Sequence, residues 1–478
     1  MTIQRLQFTD WLPDQPANAG SLNDAKNVFP VGIGYGAFPS AEEFSNAASE
    51  NLNSVFVAKF GPTVEVFGGS TSKIFKLNIG TLAMTDVSKV GGYAGNGIWR
   101  FEQFGNVVLA CNDNTKIQAW TIGTSTVWAD VASAAPIAKD IAIVRDFVFA
   151  GNIGIGTNPD KVIWSDINDE SDWVSGATSQ SDYQIIADGG NVQAITGGEF
   201  GVIFLEKSVV RASYVGSPLF FQFDTISNGL GCLEGHSVAQ YGNISFFLSD
   251  DGWYSTDGQT VTNIGLEKVD RWFFGRADLT KLNTMSAAVD PVKNLVVWNY
   301  ADVDGNRRIL IYNWQLKKWS RAETTSDVVG TIATLGETLE SLGSSLGYTD
   351  IDTMPASLDS RLFIGGKFLF SGAKEDKIVT FTGTSITPQL ITTDVEVGYN
   401  SVATLARPQI DNGTAQVAVA SRRELDDNIE FSAFVPATTE GRCSLRSAGR
   451  YHRFNVQPTG SWTTAMAVDV DLKPQGNR

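Results

Sequence analysis

From about residue 51 onward the apolar positions come in short runs of β-branched and aromatic residues. Each run is closed by Gly, Asn or Asp and answered by a second run, the pattern of successive hairpins. The first runs are Val64–Phe67 before Gly68 and Gly69, Val107–Ala110 before Asn112–Asn114, and Phe147–Ala150 before Gly151. Val202–Leu205, Ile244–Leu248 before Asp250–Gly252, Leu295–Tyr300 before Asp304 and Gly305, and Leu362–Ile364 before Gly365 and Gly366 follow. Asp-Gly and Gly-Gly pairs supply the positive φ angles that tight hairpin turns need. Most runs start about 40 to 55 residues apart, close to the length of a propeller blade. Each unit reads as an apolar inner strand, a polar turn and a strand carrying an aromatic, such as Trp120, Trp164, Tyr214, Tyr254 or Trp314. The expected fold is therefore all-β: a β-propeller of six or seven blades over residues 51–385.

Either side of that rhythm the pattern changes. Residues 1–50 have no steady period and carry Pro13, Pro16, Pro30 and Pro39 with Gly32, Gly34 and Gly36, so they read as an extended N-terminal arm. Trp11, Phe29, Tyr35 and Phe38 are spaced along it and are expected to anchor it on a neighbouring subunit or another component of its assembly. Residues 321–360 interrupt the blades. Leu335, Leu339, Leu342 and Leu346 recur there at helical spacing, which predicts a partly helical insertion. Residues 386–478 return to period-2 strands without the blade rhythm and predict a C-terminal β-sandwich.

Composition narrows the functions open to such a chain. With 52 acidic and 36 basic residues, the net charge of −16 opposes stable binding to nucleic-acid phosphates. The basic pairs Arg307–Arg308, Lys317–Lys318 and Arg422–Arg423 read as solvated charges. Cys111, Cys232 and Cys443 are odd in number and far apart, without disulfide or zinc spacing, which suits assembly in a reducing cytoplasm. No apolar stretch approaches the roughly 20 residues of a membrane helix, so no membrane insertion by this chain is expected.

The chemistry of known catalytic motifs is sparse. His236 and His452 are the only histidines, too few for a multi-histidine metal site, and His452 reads as a packed or surface residue of a strand. The glycine-rich run GNIGIG at 151–156 lacks a following helix and a Gly-Lys-Ser/Thr, and reads as a blade turn. DVDGN at 302–306 resembles the start of a calcium loop, but Gly305 is one position early and Asn313 stands where the closing Glu belongs, so a hairpin tip is expected. The adjacent pairs Asp250–Asp251 and Asp426–Asp427 cannot flank a substrate as glycosidase carboxylates do. No catalytic residue, cofactor or metal is assigned, and the chain is not expected to be an enzyme.

Several segments resemble the tail hub, or nozzle, proteins of short-tailed bacteriophages, also called packaged-DNA stabilisation proteins. They are WLPDQP at 11–16 with AKNVFP at 25–30, FFLSDDGWYSTDG at 246–258, SLDSR at 357–361 and RSAGRYHRF at 446–454. Their order along the chain carries the resemblance more than any one motif. It implies a structural virion protein of the tail, assembled in the host cytoplasm as a homo-oligomeric ring, a hexamer. Such a ring extends the DNA channel below the portal and adaptor, retains packaged DNA, carries tail fibres or tailspikes, and lets duplex DNA pass transiently through its lumen. The rival expectation is a propeller carbohydrate-binding protein or depolymerase of a phage tail, since propellers host such sites too.

Overall fold

The computed structural model describes residues 3–16, 19, 22–94, 97–333 and 368–475. Within them the chain is almost entirely β, with one short helix at Asp270–Phe274 and two 3₁₀ turns at Gly235–Ser237 and Leu279–Thr284. Six separate four-stranded antiparallel sheets form the blades of a β-propeller. Blade 1 runs from Ser54 to Asp86, blade 2 from Arg100 to Asp130, blade 3 from Ala138 to Ile185, blade 4 from Val192 to Asn228 and blade 5 from Ala239 to Asn263. The sixth blade is composite. Val328–Ala333, Phe368–Lys374 and Lys377–Thr380 are completed by Glu42–Glu43 from the N-terminal segment, which pairs with Val379 and Thr380. Between the fifth and sixth blades, the four-stranded meander Ser286–Glu323 completes the ring and runs on into a larger sheet.

Among the described residues the recurring apolar runs are the second strands of the blades and of the meander, and not the innermost ones as their sequence suggests, while the run Leu362–Ile364 lies outside the described residues. Val107–Cys111, Phe147–Ile153, Gly201–Leu205 and Leu295–Ala301 are buried along nearly their whole length, because blades cover both of their faces. The first strand of each blade contributes residues to the axis. Gly68 and Gly69 also differ from expectation: they lie inside the strand Thr63–Gly69, and the turn before that strand uses Gly61 with φ 59°. A side chain at Gly69 would bring its Cβ within 2.4 Å of the Trp99 ring, so glycine here serves close packing between blades.

Both ends of the chain are woven into one 14-stranded sheet. Its order starts with the meander, crosses Leu22–Lys26, and continues through Gln389–Thr392, Cys443–Thr459, Val395–Asp411 and Thr464–Pro474 to the hairpin Val28–Val31 and Gly34–Ala37. Leu22–Lys26 pairs parallel with Lys318–Glu323 on one side and antiparallel with Gln389–Thr392 on the other. The N-terminal segment is thus a set of strands paired within this chain and not an extended arm, and the C-terminal strands are hydrogen-bonded into this shared sheet instead of pairing only among themselves. Of the expected insertion at 321–360, residues up to 333 belong to the strands Lys318–Glu323 and Val328–Ala333. Leu335, Leu339, Leu342 and Leu346 lie outside the described residues.

The aromatic residues of the N-terminal segment sit inside this chain's own core. Trp11 is 1% exposed, meets Trp272 edge-on at 4.8 Å and donates its indole N–H to the Asn23 carbonyl at 3.2 Å. Tyr35 is fully buried and donates its hydroxyl to the Thr9 carbonyl at 2.8 Å, while Phe38 packs on Phe381 at 5.7 Å. Phe29 is half-buried under the Lys293 ammonium, 4.7 Å from the ring centroid. Trp11, Tyr35 and Phe38 therefore leave no surface for another subunit, and all four expected contact residues are engaged within the chain.

Candidate axial site

The first strands of the blades and of the meander surround a cavity of about 550 Å³ on the propeller axis. Extended strands alternate their side chains between two faces. In the strand Arg100–Phe104 this sends Arg100 and Glu102 to one side and Phe101 to the other, where it stacks on Phe56 at 5.5 Å. Arg100 reaches from blade 2 to the segment before blade 5 and donates to the Gly235 carbonyl at 2.6 Å, so its side chain bridges the axis. Its Nε lies 3.6 Å from Asp140 of blade 3. Asp140 is 5% exposed and accepts the backbone N–H of Ile195 from blade 4 at 2.7 Å.

These neighbours shift one another's protonation. Burial, with the Asp140 charge beside it, pushes the Glu102 carboxyl up to about 8. Burial also raises Asp140, against the pull of Arg100. Burial and the Arg100 charge lower His236 to about 4, so the imidazole is neutral at pH 7. Its Nδ1–H then donates to Glu234 at 2.8 Å. Burial opposes the charged form of Glu234, yet the bonds from His236 hold its carboxyl at about 2.

A pH dependence follows. A carboxyl whose folded pKa is raised binds more protons when folded, so its contribution to stability is complete below about 4.5 and is lost as pH climbs through about 8. His236 works in the opposite sense, but only between about 4 and 6.5. Between pH 6.5 and 8, denaturant midpoints are expected to fall as pH rises, and Glu102→Gln is expected to flatten that slope. An unchanged slope in the variant would place the titration elsewhere.

The other residues singled out by sequence have structural partners. His452 is fully buried, with Ser401 Oγ at 2.7 Å from Nε2 and Ser421 Oγ at 2.7 Å from Nδ1. This serine–histidine contact has no carboxylate on the second nitrogen and no opening to solvent, so it lacks what a nucleophile needs. Asp251 accepts the Tyr254 hydroxyl at 2.9 Å, and Asp427 accepts the backbone N–H groups of Arg423 and Glu424. Residues 302–306 form a hairpin tip in which Asp302 accepts N–H bonds from Asp304 and Asn306. Residues 154–157 turn between two strands of blade 3. Among the described residues no group of three His, Cys, Asp or Glu side chains is placed to hold a metal ion. All three cysteines are buried thiols.

The basic pairs are not solvated charges throughout. Arg308 pairs with Asp302 and Glu323, Lys318 with Asp10, and Arg422 with Asp394. Arg100, Glu102 and Asp140, by contrast, go unnoticed in the sequence, and His236 is noted there only as one of two histidines. The polar positions 100 and 102, alternating with Phe101 and ahead of an apolar run, are the one local sign of an axis-facing strand.

No family model and no curated protein matches the chain. Among solved structures, a computationally designed protein, Ika8, aligns at a TM-score of 0.38 and 13% identity, over 72% of this chain and 99% of that one. A chain of the mitotic checkpoint complex aligns at 0.40 and 10%, over 72% and 97%. A putative 6-phosphogluconolactonase from Bacteroides fragilis NCTC 9343 aligns at 0.37 and 14%, over 56% and 82%. Likenesses this distant carry no argument about function.

Proposed function

We propose that this chain is a structural subunit of a short-tailed phage tail, a nozzle or hub protein whose copies form a ring around the path of the DNA. The observation that carries the reading is the placement of the segments with the family resemblance. Residues 25–30 and 446–454 are far apart in sequence, yet both contribute strands to the 14-stranded sheet. There Ala25 lies opposite Leu390, and Leu390 opposite Val456. The two ends of the chain thus join one sheet, a unit suited to stacking in an assembly.

Charge supports the same reading. A lumen lined by an acidic protein does not grip phosphates, so DNA slides along it, whereas a basic lining would retain it. In this reading the DNA path lies between copies and not along the propeller axis. A cavity of about 550 Å³ bridged by Arg100 does not admit a duplex whose major groove alone is about 12 Å wide. Portal or adaptor proteins above and fibres or spikes below are the partners it implies, and the ring would be a hexamer without enzymatic activity.

Duplex DNA titrated against the purified chain is expected to bind no better than weakly at physiological salt. Tight binding that falls steeply with added salt would defeat the sliding conduit. Release of reducing sugar from host polysaccharide, lost on mutating Glu102 or Asp140, would instead favour the depolymerase.

A further inference from the structure

A second recess lies where the helix Asp270–Phe274 covers one face of the meander. About 50 Å³ of free space there is several times the roughly 10–15 Å³ that a single water needs. Strand register builds it: Tyr300 lies opposite Arg308, Arg308 opposite Glu323, and Leu310 opposite Arg321, so Tyr300, Arg308 and Arg321 share one face. Trp272 and Arg276 close it from the helix and the turn that follows.

Three guanidinium groups converge here, and two are neutralised within the chain. Arg308 bonds to Asp302 at 2.7 Å and Glu323 at 2.9 Å, and Arg321 grips Asp24 with two bonds of 2.8 and 2.6 Å. Arg276 is exposed, with its guanidinium 5.2 Å from the Trp272 ring centroid, and has no carboxylate within ion-pair distance among the described residues. Tyr300, at the base of the recess, is 2% exposed, and its hydroxyl makes no hydrogen bond among the described residues. The recess therefore offers a cation and a hydroxyl donor that no carboxylate of the described residues engages.

We propose that this recess binds a single carboxylate group, held by the Arg276 guanidinium and the Tyr300 hydroxyl. A planar guanidinium presents paired donors that match a carboxylate's two oxygens, and the Trp272 ring lies 5.2 Å from it. Asp304 stands at the rim and weakens the site by repulsion. The carboxylate belongs either to a small free acid or to an Asp or Glu side chain of a second copy of this chain.

The test uses the full chain and ¹³C-formate as the probe, with affinity read from line broadening at constant ionic strength. Arg276→Gln and Tyr300→Phe are each expected to weaken formate binding at least threefold, and Asp304→Asn to tighten it. Arg446→Gln, on an exposed strand position elsewhere, should leave it unchanged. Because the Tyr300 hydroxyl has no partner to lose, Tyr300→Phe should keep the wild-type melting temperature, which separates loss of binding from loss of fold. Formate binding that ignores both Arg276→Gln and Tyr300→Phe, or no formate binding at all, would overturn the proposal. Sedimentation distinguishes the sources. If the carboxylate comes from a second copy, formate and Arg276→Gln both reduce self-association; if it is a free acid, neither does.

Discussion

Asp394→Ala is expected to destabilise the protein by about 3–5 kcal/mol, the usual consequence of leaving buried charges without their counter-ion. The Asp394 side chain is 2% exposed and sits between Arg422 and Arg453, themselves 10% and 8% exposed. Arg453 holds it through Nε at 3.1 Å and Nη2 at 2.9 Å, and Arg422 through Nη2. Truncation leaves two guanidinium groups facing each other in a site with little water. Replacing all three residues with apolar side chains of similar volume is expected to cost less than Asp394→Ala alone, because desolvation of the ions is then avoided. Urea denaturation of the single and triple variants checks both statements. A loss below about 1 kcal/mol for Asp394→Ala would mean that the triad is solvated and behaves as a surface ion pair.

Trp11→Ala is expected to cost the isolated chain about 3–5 kcal/mol, the range for removing a buried aromatic from a packed core. Trp11 fills space between Trp272 and the strand Leu22–Lys26, and its loss loosens the strand that joins the meander to the C-terminal strands. Thermal unfolding of the purified variant distinguishes this role from the one its sequence context suggests. An anchor on a neighbouring subunit would leave the melting temperature of the isolated chain unchanged and weaken only assembly. Unaltered stability in Trp11→Ala would return the residue to that role.

The blades were legible because their second strands are buried on both faces, and that burial writes a continuous apolar run such as Gly201–Leu205 into the chain. First strands carry no such mark. Ala239–Tyr241 is three residues long, and Arg100–Phe104 mixes polar and aromatic positions, with Arg100, Phe101 and Glu102 all lining the axial cavity. The aromatics at Trp11, Tyr35 and Phe38 showed that the first fifty residues pack on something. Which surface receives them depends on contacts such as Trp11 with Trp272, made only after the ring has formed, and no local pattern encodes them. The end of the propeller was hidden for a similar reason: the sixth blade takes its fourth strand from Glu42–Glu43, at the other end of the chain. The axial group was illegible because Arg100, Asp140 and His236 come from separate segments and meet only at the axis.

Electron microscopy of the parent particle and of the purified chain tests the proposed ring most directly. The expected result is a closed ring of copies below the portal, with a lumen wide enough for duplex DNA running between subunits and each propeller axis blocked at the level of Arg100. A single copy off the DNA path, or density for DNA running through a propeller axis, would contradict it.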